Sequence, residues 1–93
     1  MKVTATFRDG QAVVSVVGEL DIADRNTFTA LMEQVRARHP RRIVLDLANL
    51  DYLDVPMLHE LERDGTGAQV VVINAYGIVK RLLELVGSIR SEN

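Results

Sequence analysis

Two short apolar runs, each followed by a helical pattern, limit most strongly what this chain can fold into. Within the run Ile43–Leu47, the apolar residues 43–45 lie between the charged Arg42 and Asp46, and Val70–Ile73 is apolar throughout. Runs of this length and composition are typical of strands that are buried on both faces of a parallel sheet. Parallel strands require a crossover connection, which is usually an α-helix. The sequence therefore predicts an α/β protein.

The first part of the chain has the pattern of a β-hairpin. Apolar and small polar side chains alternate over Val3–Phe7, and a second strand pattern follows over Ala12–Val17. Asp9 and Gly10 between them favour a two-residue hairpin turn. The segment Gly18–Asp21 is predicted to end the second strand.

A first helix is predicted after the hairpin, because apolar residues recur there at helical spacing. Asp21 or Asp24 can cap its start, and Pro40 ends it. Its apolar stripe consists of Phe28, Leu31, Met32 and Val35.

The remaining elements alternate between strand and helix. Residues 48–54 are predicted to form a loop, and Pro56 suits the first turn of a short helix over Met57–Arg63. Gly87 is the predicted C-cap of a last helix. The stripe of that helix consists of Ile78, Val79, Leu82, Leu83 and Val86. The predicted order is β-β-α-β-α-β-α, with helices packed on a mixed central sheet. We expect one domain over residues 1–93.

Composition excludes several classes of function. The formal net charge is −2, from 11 basic and 13 acidic residues, so the whole chain has no electrostatic reason to bind nucleic acid or an anionic membrane. The chain has no cysteine, which excludes thiol catalysis and zinc ribbons and fits a reducing compartment. No apolar run is long enough for direct membrane insertion. We therefore expect a cytoplasmic protein.

Three carboxylates follow one another around the end of the predicted central strand. Asp46, Asp51 and Asp54 could hold a magnesium ion or a nucleotide in a small enzyme. The alternative, that Asp54 caps a helix and Asp51 lies in a turn, is favoured because no phosphate-binding loop accompanies them. His39 and His59 stand alone, without metal-ligand spacing. We therefore predict no catalytic residue, no metal and no cofactor.

Several segments in order along the chain resemble the STAS domain, the family of anti-sigma factor antagonists and of the cytoplasmic domains of sulfate transporters. The segments that carry the resemblance are Gly18–Asp21, Ile43–Leu47, Leu50–Asp54, Val70–Ile73, and Val79–Leu83 ahead of Gly87. The resemblance implies a non-enzymatic, protein-binding regulator in a partner-switching pathway. It implies an anti-sigma factor or serine kinase-like protein as the partner. Other STAS proteins resemble accessory subunits that rest on the ATPase of an ABC (lipid) transporter, and the sequence leaves this alternative open.

The family's phosphorylation loop is altered in this chain. The family pattern there is Asp-Ser-Ser/Thr-Gly, whereas the matching residues are Asp54, Val55, Pro56 and Met57. Val55 stands at the phosphoacceptor position and has no hydroxyl group to phosphorylate. We predict that Val55, Pro56 and Met57 form an apolar edge that suits a protein contact.

The resemblance also predicts where a partner docks. The expected contact residues are Tyr52, Asp54, Val55, Pro56 and Met57, with Glu19 and Asp21 alongside. The second helix is predicted to be shorter than is usual in the family, and a final helix is missing. Apolar surface would then be uncovered, so a homodimer is possible. The residues expected on that surface are Met57, Leu58, Leu61 and Ile89.

Overall fold

The computed structural model describes residues 1–64, 69–86 and 90–92. The strands are β1 Lys2–Arg8, β2 Gln11–Leu20, β3 Arg42–Asp46, β4 Leu50–Leu53, β5 Gln69–Ile73 and β6 Arg90–Glu92. The helices are α1 Arg25–Arg36, α2 Val55–Asp64 and α3 Gly77–Val86, and a 3₁₀ turn, Ile22–Asp24, precedes α1. The predicted α/β class is confirmed.

The hairpin turn forms where the sequence predicts it. Arg8 and Gln11 are paired across β1 and β2, so Asp9 and Gly10 alone make the turn. Both have positive φ, 52° and 79°, which is the conformation of a hairpin turn that matches the twist of its strands.

The sheet has the order β1-β2-β3-β5-β6. The β1–β2 pair is antiparallel, and the pairs β2–β3, β3–β5 and β5–β6 are parallel. The predicted mixed sheet is therefore confirmed. Strand β4 lies off this path and pairs in parallel with the end of β2.

All three helices pack on one face of the sheet. Alternate strand residues point to the same face, and those of β2, β3 and β5 share one core with the helices. The helix residues in that core are Phe28, Met32 and Val35 of α1, Met57 of α2, and Val79 and Leu83 of α3. The strand residues are Ala12, Val14, Val16, Ile43, Leu45 and Val72. Each large apolar side chain buried in this way contributes about 1.5–3 kcal/mol.

The two central strands are buried on both faces. Leu45 and Val72 point to the helices, whereas Val44 and Val71 are neighbours on the opposite face and are buried as well. This confirms the interpretation of both apolar runs as central strands.

The ends of α1 follow the sequence signals. Asp21 caps the 3₁₀ turn that leads into the helix, whereas the Asp24 side chain makes no cap hydrogen bond to α1. Helix α1 ends at Arg36, and His39, just before Pro40, has a φ of 53°, which is outside the helical region. No helix in the described part of the chain is long and apolar enough to cross a membrane.

Four boundaries differ from the prediction. Strand β2 continues through Gly18 to Leu20, because β4 supplies new backbone partners there. Residues 50–53 are accordingly strand β4 and not loop. Helix α2 begins at Val55, two residues earlier than expected, and β6 adds a strand after the last helix. The predicted C-cap Gly87 lies outside the described residues.

Candidate protein-docking surface

The carboxyl end of the sheet is the point at which β2 changes its neighbour. Residues 11–15 of β2 pair with β3, and Gly18–Leu20 pair with β4. The register shifts between Gly18 and Glu19, where Gly18 has a φ of 97° that other residues rarely adopt. The Gly18 N–H donates to the carbonyl of Asn49 at 2.9 Å. Open α/β sheets commonly place their binding sites outside the carboxyl ends of their strands.

Asp54 ties the segments at this end together. Its Oδ1 accepts from the Met57 N–H at 2.9 Å and so caps α2, and its Oδ2 accepts from the Ile22 N–H at 2.8 Å. The Asp54 N–H in turn donates to the carbonyl of Leu20 at 3.2 Å. One carboxylate therefore fixes the start of α2 against the 3₁₀ turn, which makes Asp54 an organising residue of the surface.

Asp21 has a second local role of the same kind. Its Oδ1 accepts from the Ala23 N–H at 2.9 Å, and its own N–H donates to Asp24 Oδ2 at 3.2 Å. This reciprocal capping holds the 3₁₀ turn in place. The half-buried Asp21 side chain therefore stabilises the 3₁₀ turn that carries the exposed Ile22.

The other two carboxylates are also engaged with groups of the protein. Asp46 Oδ1 accepts from the Ala48 N–H and from Asn74 Nδ2, both at 3.1 Å. Asp51 accepts a short hydrogen bond from the Tyr76 hydroxyl. No three His, Cys, Asp or Glu side chains in the described ranges are arranged to hold a metal ion. The interpretation of Asp54 as a helix cap is confirmed, whereas Asp51 lies in β4 and not in a turn.

The Tyr76–Asp51 contact links α3 to β4 at the edge of the surface. The hydrogen bond to the Asp51 carboxylate raises the pKa of Tyr76 above its usual value, and desolvation and the negative charge of Asp51 act in the same direction. The phenol is therefore held in its protonated, donating form.

Large apolar side chains are exposed around this end of the sheet. Five of them are between 43% and 51% exposed: Ile22, Tyr52, Val55, Tyr76 and Ile78. Single exposed apolar residues are ordinary, but a group of them in one region is typical of a protein contact. We call this group the apolar rim.

The predicted contact residues divide between the rim and the interior. Tyr52 and Val55 belong to the rim, Pro56 is exposed beside Val55, and the exposed Glu19 is the cross-strand partner of Tyr52. Met57 was expected on the apolar edge, and this is wrong: its side chain is 0% exposed. Because α2 begins at Val55 with Asp54 as its cap, Met57 is the third helical residue and points into the core.

The same correction weakens the surface expected for a homodimer. Of its four residues, Met57 is in the core. Ile89 and the side chains of Leu58 and Leu61 lie outside the described part of the structure. In their neighbourhood, Glu60 is buried and pairs with Arg25 at 3.0 Å.

Sequence reasoning missed three residues of the rim. Ile22 follows a capping aspartate, where the first residue of a helical turn points to solvent. Tyr76 and Ile78 flank Gly77 at the start of α3, and Ile78 was assigned to the buried stripe but is 48% exposed. The position of an apolar residue in a first helical turn is the signal that could have identified Ile22 and Ile78.

The comparisons with known proteins agree with this architecture. A family model described as "Mlab, STAS domain" matches residues 3–88. The crystal structure of an anti-sigma factor antagonist from Mycobacterium paratuberculosis is similar to this chain, with a TM-score of 0.84 at 26% identity, over 97% of this chain and 83% of that one.

Two further solved structures share the fold at 14% identity. One is a candidate anti-sigma factor antagonist from Thermotoga maritima, with a TM-score of 0.80 over 98% of this chain and 86% of that one. The other is the antagonist SpoIIAA in its unphosphorylated form, with a TM-score of 0.74 over 99% and 89%. No curated protein sequence matches this chain.

Proposed function

Because this chain belongs to the STAS domain family, we propose that it is a non-enzymatic module that binds a partner protein through the apolar rim. The observation that carries the proposal is the exposure of Ile22, Tyr52 and Val55 on a backbone that Asp54 holds in place. Exposed apolar side chains on a rigid support lose little freedom on binding, which favours a protein contact.

The carboxylates at this surface have roles within the fold. Asp54 caps α2, Asp46 accepts from the Ala48 N–H in the turn after β3, and Asp51 accepts from the Tyr76 hydroxyl. These roles account for all three residues without catalysis, so the binding role is favoured over the small-enzyme alternative.

The partner that the family relationship favours is an anti-sigma factor or a kinase-like protein. Similarity to the antagonist from Mycobacterium paratuberculosis supports this choice, since 26% identity extends over nearly the whole chain. Val55 occupies the phosphoacceptor position of the family and is 51% exposed. Without a hydroxyl group there, binding at the rim would be governed by the amounts of the two proteins and not by phosphorylation of residue 55.

An accessory subunit on a transporter ATPase is the second candidate. The matching family model carries the name Mlab and not that of an antagonist, whereas the similar structures are antagonists. Both candidates use a STAS domain as a protein-binding module, and they differ in the partner.

A quantitative pull-down from native lysate tests the proposal. The chain and its Tyr52→Ala and Ile22→Ala variants serve as bait, with Leu85→Ala as the matched control, because Leu85 is the most exposed large apolar residue described and lies near the end of α3, about two turns after Ile78. We expect one protein to be retained by the unchanged chain and by Leu85→Ala, and lost with both rim variants.

The identity of that protein separates the two candidates. A kinase-like anti-sigma factor supports the antagonist, and an ABC-type ATPase supports the transporter subunit. Retention of the same protein by all three variants would contradict docking at the rim.

A further inference from the structure

The end of the sheet opposite the rim carries a cluster of positive charge. It comprises the hairpin turn and the segment that follows α1, which meet where the Arg41 N–H donates to the Gly10 carbonyl at 2.8 Å. The basic residues gathered there are Arg8, Arg36, Arg38, His39, Arg41 and Arg42. We call this region the basic end.

Two of these guanidinium groups are held in fixed positions. Arg38 lies over the ring of Phe7, 3.8 Å from its centroid. Arg41 Nη2 donates to the carbonyl of Asp9 at 2.9 Å, and its guanidinium covers the space beside Gly10. Stacking and hydrogen bonding restrict both side chains before any ligand arrives, which lowers the entropic cost of binding.

Neither group has a carboxylate partner within the described ranges. The ion pairs found there are Arg25 with Glu60 and Arg8 with Asp9, and the second is long, at 4.0 Å, with both side chains about nine-tenths exposed. Among the residues that the structure describes, no acidic side chain is therefore paired with Arg38 or Arg41.

A cavity of about 280 Å³ opens between these elements. Its lining includes Phe7, Arg8, Gly10, Gln11, Arg38 and His39. Asp9 is the one carboxylate in that lining, and its side chain is 91% exposed and faces Arg8. The lining thus combines a concave shape with excess positive charge.

We propose that this cavity binds a phosphate group, held by the stacked guanidinium of Arg38 together with Arg8 at its mouth. Guanidinium groups donate two parallel hydrogen bonds to phosphate oxygens, and a stacked guanidinium keeps its N–H edge available for them. A phosphate dianion offers more acceptors than a carboxylate and fits a site with two guanidinium groups.

An NMR titration of ¹⁵N-labelled protein with inorganic phosphate, against sodium chloride at equal ionic strength, tests the site. We expect saturable shifts of the amides of Gly10, Gln11 and His39. Arg38→Gln should weaken the apparent affinity about tenfold, because it removes charge-assisted hydrogen bonds. Arg81→Gln, which removes the same charge from an exposed position on α3, should leave the affinity unchanged.

Further arms of the experiment distinguish a soluble phosphate ester from a lipid headgroup. Glycerol phosphate is titrated in the same way, and co-sedimentation is measured with phosphatidylcholine vesicles that contain phosphatidic acid or lack it. Retention on phosphatidic acid vesicles that depends on Arg38 and is displaced by glycerol phosphate identifies a headgroup site. Saturable shifts with the free esters alone identify a soluble ligand. Absence of a saturable response in every arm, or equal weakening by Arg38→Gln and Arg81→Gln, would overturn the proposal.

Discussion

The two ends of the sheet use charge in opposite ways. At the rim, carboxylates accept hydrogen bonds from neighbouring backbone and side-chain donors, as Asp54 does from Ile22 and Met57. The large exposed side chains of the rim are apolar. At the basic end, Arg38 rests on an aromatic ring and keeps its charge unpaired by any described carboxylate. At one end carboxylates hold the backbone in place, whereas at the other the charge of Arg38 lies beside the cavity of the proposed phosphate site.

This contrast shows how little a net charge says about a local site. A formal charge of −2 removes any reason for the whole chain to be drawn to a polyanion. Five arginines and a histidine nevertheless meet at one end, because the hairpin turn and the end of α1 are brought together by the parallel pairing of β2 with β3. Charges within about 10 Å dominate a binding site at physiological salt.

The largest expected effect comes from the core that joins the two ends. Leu45 is buried in the middle of β3, and Leu45→Ala should lower the free energy of unfolding by about 2–5 kcal/mol through lost burial and a cavity. Urea denaturation followed by circular dichroism measures this. If the two ends depend on one core, docking at the rim and phosphate binding should decline together with stability. An unchanged denaturation midpoint would mean that Leu45 is not a core residue.

The next largest effect distinguishes a structural carboxylate from an exposed one. Asp54→Ala removes both the cap of α2 and the bond to the Ile22 N–H, and should cost about 1–3 kcal/mol. Asp9→Asn at the basic end should change stability by less than about 0.5 kcal/mol, since its side chain is 91% exposed and asparagine also tolerates the positive φ of this turn. The same urea experiment compares the two variants. Equal losses would contradict the view that carboxylates build only the rim.

Substitution of Val55 should alter the chemistry of the rim without altering its support. Val55→Ser is expected to change stability by less than about 0.5 kcal/mol, because Val55 is half exposed at the first position of α2. Phosphopeptide mass spectrometry after incubation with a cognate kinase should find no phosphate on residue 55 of the unchanged chain. In Val55→Ser it should find phosphate there, provided that the kinase docks at the rim. Stoichiometric phosphate on Thr66 or Ser88 of the unchanged chain would show that the protein is regulated by phosphorylation at another position.

How much of the fold and of the docking surface could be predicted depends on how far apart in the sequence the interacting residues lie. The core strands were predictable, since Val44, Leu45, Val71 and Val72 form apolar runs that only a buried strand accommodates. Strand β4 was not predictable, because its partner Gly18–Leu20 lies about thirty residues earlier and no local sequence pattern indicates the pairing. Asp54 could be identified as the cap of α2, because the residue it caps is three positions later in the sequence. Its bond to Ile22 could not be predicted, because the two residues are 32 positions apart.

The placement of Met57 illustrates an error of helical phase with a functional consequence. Three consecutive helical residues cannot share one face, because each rotates the side-chain direction by about 100°, so Met57 points away from the exposed Val55 and into the core. The basic end was missed for a different reason. Arg8 and Arg38 are thirty residues apart, and only the fold brings them to one cavity.

The smallest expected effect concerns the contact between Tyr76 and Asp51 at the edge of the rim. The hydrogen bond to Asp51 raises the pKa of Tyr76, so the bond is fully present below the ordinary tyrosine pKa of about 10 and is lost as the pH rises through the raised value. Ultraviolet absorbance of the phenolate, measured across alkaline pH, should show a late transition that Tyr76→Phe removes, leaving Tyr52 as the other tyrosine. Asp51→Asn keeps a hydrogen-bond acceptor but removes the charge, and should move that transition to lower pH. If the phenolate transition of Asp51→Asn is unchanged, the Asp51 carboxylate does not bind the Tyr76 hydroxyl. The start of α3 would then lack a side-chain hydrogen bond to β4 of the kind that Asp54 makes between α2 and the 3₁₀ turn.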